Sequence, residues 1–339
     1  MPSLHEDSIV IDLHTDSLIQ ARAVGYRLEA RHHNPILERL GFYHADLPRL
    51  REGGVTGQFF GLVTFPVPEL GCAAACHRQI ERLRRVSKEQ GLIWARTADD
   101  IRQAKREKRL AVFTGVEGGH NLEGRMEALE GFARAGVRYL GLAHFSANAV
   151  CSPSGGKGAS ARAPLTDFGR AVIGEMNRLG MIVDLAHVGR AAFLDACVRS
   201  SRPVIVSHTG ISAAYPLWRN VDDEQLRAVA RSDGVVGIIF AWRYLGARRR
   251  GVEMLAPHFE HVRRLIGTRH LAIGSDFDGA VEPVRGLENV SRLPEVTALL
   301  QRMKWSEREI REVLGENVLR ILSAHESPSP GSSSFPLES

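Results

Sequence analysis

The chain alternates between two hydrophobic rhythms. Short, nearly continuous apolar runs fall near residues 8–13 (SIVIDL), 55–63 (VTGQFFGLV), 110–114 (LAVFT) and 138–142 (RYLGL). Four more follow near 181–185 (MIVDL), 203–207 (PVIVS), 235–240 (VVGIIF) and 270–274 (HLAIG). A strand wetted on one side alternates apolar and polar residues, so continuous runs predict strands covered on both faces, as in a parallel sheet. Between them, residues 77–90, 98–108, 125–135, 167–179, 190–199, 222–232 and 256–266 carry helical spacing. Asp167 and Asp222 stand where helix starts favour a capping carboxylate, and Gly136, Gly180 and Gly267 where helix ends favour glycine. Eight strands alternating with helices predict an α/β fold, a (β/α)8 TIM barrel. An open, doubly wound sheet is the structural alternative.

Two stretches break the rhythm. Residues 25–50 and 145–166 read as long loops, the second containing SPSGGKGASARAP. Loops of that length inside a compact domain are usually functional or mobile. Residues 291–323 read as helical closing segments, and 1–325 as a single domain. The Pro/Ser-rich end, residues 326–339, reads as a disordered tail.

Composition narrows the function classes. With 44% hydrophobic residues the chain can bury a large core. A net charge of +5 raises the question of nucleic acid, but the arginines are scattered among Glu and Asp along helical segments. Scattered charge of this kind is a solvated helix face, and no basic stripe interleaved with aromatics appears. Cys72 and Cys76 have no partner cysteines at zinc-finger spacing, and four unpatterned cysteines suit a reducing compartment. The start, MPSLHEDSIVIDLHTD, lacks a secretory leader pattern, and no run approaches the 18 apolar residues of a membrane span. A cytoplasmic protein is expected, binding neither membrane nor nucleic acid.

The chemistry lies where polar residues meet the ends of the apolar runs. His14 and Asp16 follow the first predicted strand, Glu117 the third, His144 the fourth, His187 the fifth, His208 the sixth and Asp276 the eighth. In a barrel all those ends converge on one mouth. Three imidazoles, an aspartate and a glutamate form a nitrogen/oxygen donor set that suits Zn²⁺ and also Mn²⁺, Co²⁺ or Fe²⁺. His14 and Asp16, two apart, share one face of an extended segment. Glu117, flanked by glycines in GVEGGHN, is the candidate bridge between two ions, which in two-metal hydrolases lie about 3.5–4 Å apart. Asp276 in GSDFDG reads either as a turn aspartate or as a general acid/base beside the ions. Asp278, followed by Gly279, reads as the turn aspartate. Arg219 either pairs with Asp222 or Asp223 or binds a substrate carboxylate. The remaining histidines, among them His5, His44, His258 and His270, read as surface or structural.

Taken together, IDLHTD, GGVTGQFF, GVEGGHNL, LAHFSAN, LTDFGRAVIGEMNRLGMIVDLAHVG, PVIVSH, RNVDDE, IGSDFDG and GENVLRIL resemble the membrane (renal) dipeptidase family of the amidohydrolase superfamily. They run in the family's order from about residue 9 to residue 322. The resemblance implies a binuclear zinc barrel, with two Zn²⁺ per subunit, that hydrolyses small-molecule dipeptides. It implies that His14, Asp16 and Glu117 hold one zinc and Glu117, His187 and His208 the other. It further implies that His144 faces the scissile carbonyl, Arg219 takes the free carboxylate and Asp276 handles the proton. N-acyl amino acids, β-lactams or another small amide would suit the same site. A homodimer is compatible with the family, though no sequence feature demands one. Two segments depart from the family's pattern: TGISAAY after His208 and AVCSPSGGKGAS after His144. Both are expected to line the pocket, so side-chain preference does not transfer.

Overall fold

The structure is a computed structural model that describes residues 3–19, 25–64 and 71–326. The expected tail therefore lies, apart from Glu326, outside the described residues. Nine strands form one sheet among them: β1 (Ile11–Thr15), β2 (Gly57–Leu62), β3 (Ile93–Trp94), β4 (Ala111–Val116), β5 (Tyr139–Gly141), β6 (Ile182–Asp184), β7 (Ile205–Thr209), β8 (Val235–Ile238) and β9 (Leu271–Ile273). Their order is β2-β1-β9-β8-β7-β6-β5-β4-β3, and a further β2–β4 pairing closes eight of them into a ring. Every pairing is parallel. The chain is a (β/α)8 TIM barrel, and the open sheet is ruled out.

β3 is the strand the apolar pattern did not reveal. It lies on the edge of β4 that β5 uses further along, pairing Ile93↔Ala111 and Trp94↔Val112 before β5 takes over at Gly115↔Tyr139. Both its residues are only partly buried, which leaves a two-residue strand without a hydrophobic signature.

The continuous apolar runs have a simple cause. Ile11, Leu13, Phe59, Phe113, Tyr139, Ile182, Ile205, Val235 and Ala272 point into the barrel. Their neighbours Val10, Phe60, Val112, Leu140, Val183, Val206, Val236 and Ile273 pack outward under the helices. Inside, Phe59 stacks on Phe113 with centroids 4.5 Å apart, and Tyr139 continues the stack at 5.7 Å from Phe59. Gly115 makes this possible, because a methyl there would overlap the Tyr139 ring.

The helices 167–179, 190–199 and 256–266 coincide with Asp167–Leu179, Arg190–Arg199 and Ala256–Ile266. Asp222 is an N-cap, closing a capping box with Gln225. Asp167 is not: the cap is Thr166, whose hydroxyl accepts from Gly169 N, and Asp167 is the first helical residue, where its charge still favours the helix dipole. The helix expected from 77 begins at Cys72, extended by the strong helix formers Ala73, Ala74 and Ala75. The expected loop at 25–50 contains two short helices, Pro35–Arg39 and Leu47–Glu52. Each has an Asn or Asp cap with proline in its first turn, a start signal that the weak apolar spacing obscured. Residues 145–166 are irregular, as expected, with isolated bridges Ser146↔Lys157 and Pro153↔Val188. Among the described residues, no helix is long and apolar enough to cross a membrane.

Candidate metal centre

Two bulges set the site. Along β1, Asp12 pairs with Gln58 but Thr15 pairs with Phe60, so β1 carries one extra residue at Leu13–His14. Along β7, Val206 pairs with Val236 but Thr209 with Ile238, which places the extra residue at Ser207–His208. A bulge re-aims the side chain it contains, and here each contains a site histidine. His14 and His208 thus sit within strands rather than after them. His187 and Asp276 adopt left-handed backbone, with φ of 65° and 60°. Such conformations cost on the order of 1–3 kcal/mol and persist only where surroundings over-determine them. At Asp276 the determinants are visible: its N–H donates to His14 O (3.2 Å), and Asp16 N–H donates to Phe277 O (2.8 Å).

Every expected donor arrives at one place. His14 Nε2 lies 3.0 Å from Asp16 Oδ1, 3.7 Å from Glu117 Oε1 and 3.9 Å from Asp276 Oδ1. From the same Glu117 oxygen, His187 Nε2 is 3.1 Å away and His208 Nε2 is 3.6 Å away, and the His14 and His208 rings stack with centroids 4.2 Å apart. Those two imidazole nitrogens are 3.0 Å apart. His144 Nε2 stands 3.4 Å from Glu117 Oε2. Glu117 can be shared because glycines follow it: Gly118 has φ of 99°, and a methyl at Gly119 would press on Leu142 O. Gly61 on β2 likewise leaves room for Asp16 and His14, and Gly279 for Asp276.

Electrostatically the cluster is built for a cation. Burial, then the Asp16 charge, lifts Glu117 well above the carboxylate range and Asp276 to about 8. Burial works against protonated His14, yet Asp16, Glu117 and Asp276 outweigh it and raise that imidazole to about 10. Burial, reinforced by Arg219 and neighbouring imidazoles, holds His187 and His208 well below the usual imidazole value, in the neutral form a metal requires. His144 is likewise neutral, depressed by burial to about 3. His14 Nε2, Asp16 Oδ1 and Glu117 Oε2 are buried without a hydrogen-bond partner among the described residues. Unpaired buried polar atoms are costly, and a divalent ion among them satisfies all three. The donor set therefore fits metal, and His14–Glu117–His208, Glu117–His144–His187 and His14–Asp16–Asp276 each converge closely enough to hold an ion.

The supports of these donors escaped the sequence reading. Asp12 and Asp184 make matching clasps to the next strand end. Asp12 accepts from Ser275 N (2.8 Å) and Ser275 Oγ (2.6 Å); Asp184 accepts from Ser207 N (2.8 Å) and Ser207 Oγ (2.7 Å). Each aspartate precedes a site histidine, and each serine directly precedes Asp276 or His208. Because Ser207 donates to Asp184, it accepts from His208 Nδ1 at 2.9 Å, which leaves Nε2 as a lone pair facing the site. His14 Nδ1 is held by the Tyr139 hydroxyl at 2.7 Å, the top of the barrel's aromatic stack. The available signal was an aspartate inside an apolar strand, in IDLH and VDLAH, where a charge is expensive without fixed donors. Ser207→Ala is expected to weaken metal affinity about 10–100-fold, the usual cost of losing such an orienting partner. Chelator competition on folded protein would measure it, and unchanged affinity would show that Ser207 does not orient His208.

Arg219 is buried, and its guanidinium makes one hydrogen bond, Nη2 to His208 O at 3.0 Å. The alternative pairing with Asp222 or Asp223 does not occur: Asp222 caps its helix and binds Arg190, and Asp223 binds His261. Asp278 does bond backbone amides, but of His44 (2.6 Å) and Ala45 (3.3 Å), together with Ser17 Oγ (2.6 Å). It is a cross-link to the distant 25–50 segment rather than a local turn cap. His5, His44, His258 and His270 are buried and hydrogen-bonded to backbone away from the cluster.

With this geometry, the comparisons with known proteins are decisive. The profile of membrane dipeptidase (Peptidase family M19) matches residues 1–333. The chain belongs to the membrane dipeptidase family. Dipeptidase tcpJ of Claviceps purpurea (strain 20.1) is 36% identical over 296 residues, covering 82% of this chain and 68% of that protein. A metallo peptidase from Rhodobacter sphaeroides, solved with a phosphinate mimic of the dipeptide L-Ala-D-Ala, superposes with a TM-score of 0.84 at 25% identity, covering 94% of this chain and all of that one. The probable dipeptidase PvdM from Pseudomonas aeruginosa, at 18% identity, shares the fold with a TM-score of 0.86 over 96% of this chain and 97% of its own. As a membrane dipeptidase family member with these converging His and Glu donors, the protein is a metal-dependent dipeptidase, a hydrolase of the peptide bond.

Proposed function

We propose that the site holds two Zn²⁺ ions and cleaves dipeptides, with Glu117 bridging, His14 and Asp16 completing one ion's ligands, and His187 and His208 the other's. The observation that carries this reading is the position of Glu117 Oε1, which lies 3.7 Å from His14 Nε2, 3.1 Å from His187 Nε2 and 3.6 Å from His208 Nε2. When bound, such a pair lowers the pKa of a water between the ions towards about 7 and polarises the carbonyl oxygen it touches.

The protein's own groups do the rest. Asp276 Oδ1, 3.9 Å from His14 Nε2 within the cluster, takes the proton of the attacking water and returns it to the leaving amine. His144, neutral and beside Glu117 Oε2, donates an N–H to the oxyanion as it forms, a contribution of about 2.7–4 kcal/mol for donors of this kind. Arg219 spends one N–H on His208 O and offers its remaining donors to the substrate's terminal carboxylate. That grip favours short substrates by fixing the terminal carboxylate close to the scissile bond. Thiol-state Cys76, Cys151 and Cys197 are in keeping with a reducing, cytoplasmic setting.

Metal-stripped protein is expected to be inactive on dipeptides and to regain activity as zinc reaches two equivalents per chain, read by elemental analysis alongside turnover. Saturation at one equivalent would refute the bridged pair. Inertness of the fully loaded protein towards all dipeptides would refute the substrate assignment.

A further inference from the structure

Two of the few large apolar side chains left open to solvent stand beside the reaction centre. Phe145 is 45% exposed and Trp218 51% exposed, and they directly follow His144 and precede Arg219. Exposed aromatics beside a polar site are unusual for a surface that only meets water, and characteristic of one that receives an apolar group.

Their placement is not accidental to the loops. The Phe145 ring lies 4.5 Å from the His144 ring and 4.9 Å, edge-on, from His187. Phe145 O accepts from Lys157 N at 2.9 Å, and Gly156 runs so close to that carbonyl that a methyl on it would collide. The next residue back, Gly155, carries the six-membered ring of Trp218 on its Cα, where again a methyl would collide. Ser154, preceding Gly155, is pinned to the site by its N–H to His187 O at 2.7 Å. The adjacent glycines thus join the backbone of Phe145 to the ring of Trp218, fastened at His187 through Ser154. A side chain on Gly155 would push the Trp218 ring out of place, and one on Gly156 would push on the Phe145 backbone. The AVCSPSGGKGAS segment that sets this chain apart therefore builds one continuous wall with Trp218.

We propose that Phe145 and Trp218 form a two-ring specificity wall, so that the preferred substrates are dipeptides bearing bulky apolar or aromatic side chains. The assignment of each ring rests on the dipeptidase reading above. Phe145 adjoins His144, which faces the scissile carbonyl, so it receives the side chain of the amino-terminal residue, which bears that carbonyl. Trp218 adjoins Arg219, which holds the terminal carboxylate, so it receives the side chain of the carboxy-terminal residue. Aromatic faces suit such partners through stacking and apolar contact without demanding one shape.

The test compares kcat/KM for Ala-Ala, Phe-Ala and Ala-Phe, with the second residue in both configurations, for zinc-loaded wild type, Phe145→Ala and Trp218→Ala. Wild type is expected to favour each Phe-containing substrate over Ala-Ala by about tenfold or more, the scale of an apolar subsite. Phe145→Ala should collapse the Phe-Ala preference and Trp218→Ala the Ala-Phe preference. Phe145→Leu and Trp218→Leu, which keep apolar bulk without the ring, should give intermediate ratios and guard against a misfolded loop. An active wild type with a flat profile, ratios that survive both substitutions, or effects on the opposite residue would overturn the wall while leaving the dipeptidase standing. Absence of hydrolysis of every dipeptide would sink both.

Discussion

Asp276→Asn is expected to lower kcat by about 10²–10⁴-fold, the usual range for losing a positioned proton-transfer group, while the protein keeps its metal. The variant is nearly isosteric, so the backbone bond from residue 276 to His14 O and the left-handed turn both survive. What disappears is a buried carboxylate at the heart of the donor cluster. Asp276 Oδ1 is also the farthest of the three carboxylate contacts from His14 Nε2, at 3.9 Å against 3.0 Å for Asp16 and 3.7 Å for Glu117. Zinc content by elemental analysis and turnover on the same sample decide the matter. Full activity would remove Asp276 from proton transfer, and loss of zinc would make it a ligand instead.

Arg219→Ala is expected to cost about 1.5–3 kcal/mol, or roughly 10–150-fold in kcat/KM, on dipeptides with a free carboxylate, the strength of hydrogen bonds to charged groups. On the same dipeptides with an amidated terminus the loss should be a few-fold at most. The contrast matters because Arg219 also supports His208 through its carbonyl. A guanidinium this deeply buried, with one hydrogen bond among the described residues, carries a desolvation cost that lowers its pKa and that an arriving carboxylate would offset. Equal losses on free and amidated substrates would mean that Arg219 merely braces β7.

Much of this was legible residue by residue. The continuous apolar runs announced parallel strands because a barrel strand buries both faces, and His14, Glu117, His187 and His208 stood out as polar residues at the ends of such runs. The two short helices in 25–50 were missed although Asn34 and Asp46 carry their start signals, since neither helix has enough apolar spacing to register. Asp278 was read as local because a sequence shows only local neighbours; its partners, His44 and Ala45, lie more than two hundred residues earlier in the chain. Asp12, Asp184 and Tyr139 went unremarked because a strand residue's pattern tells that it is buried, not which atom it will meet.

The division between the two levels follows from what each can encode. Periodicity and donor chemistry are properties of the chain itself, so the barrel, the ligand types and the family are written in order along it. Distances between strand ends are not. They depend on two bulges that turn His14 and His208 inward, on left-handed turns at His187 and Asp276, and on Gly61 and Gly115, which make room for side chains from other strands. Each of these is a register or a void shared by distant segments, and such features exist only once the sheet has closed.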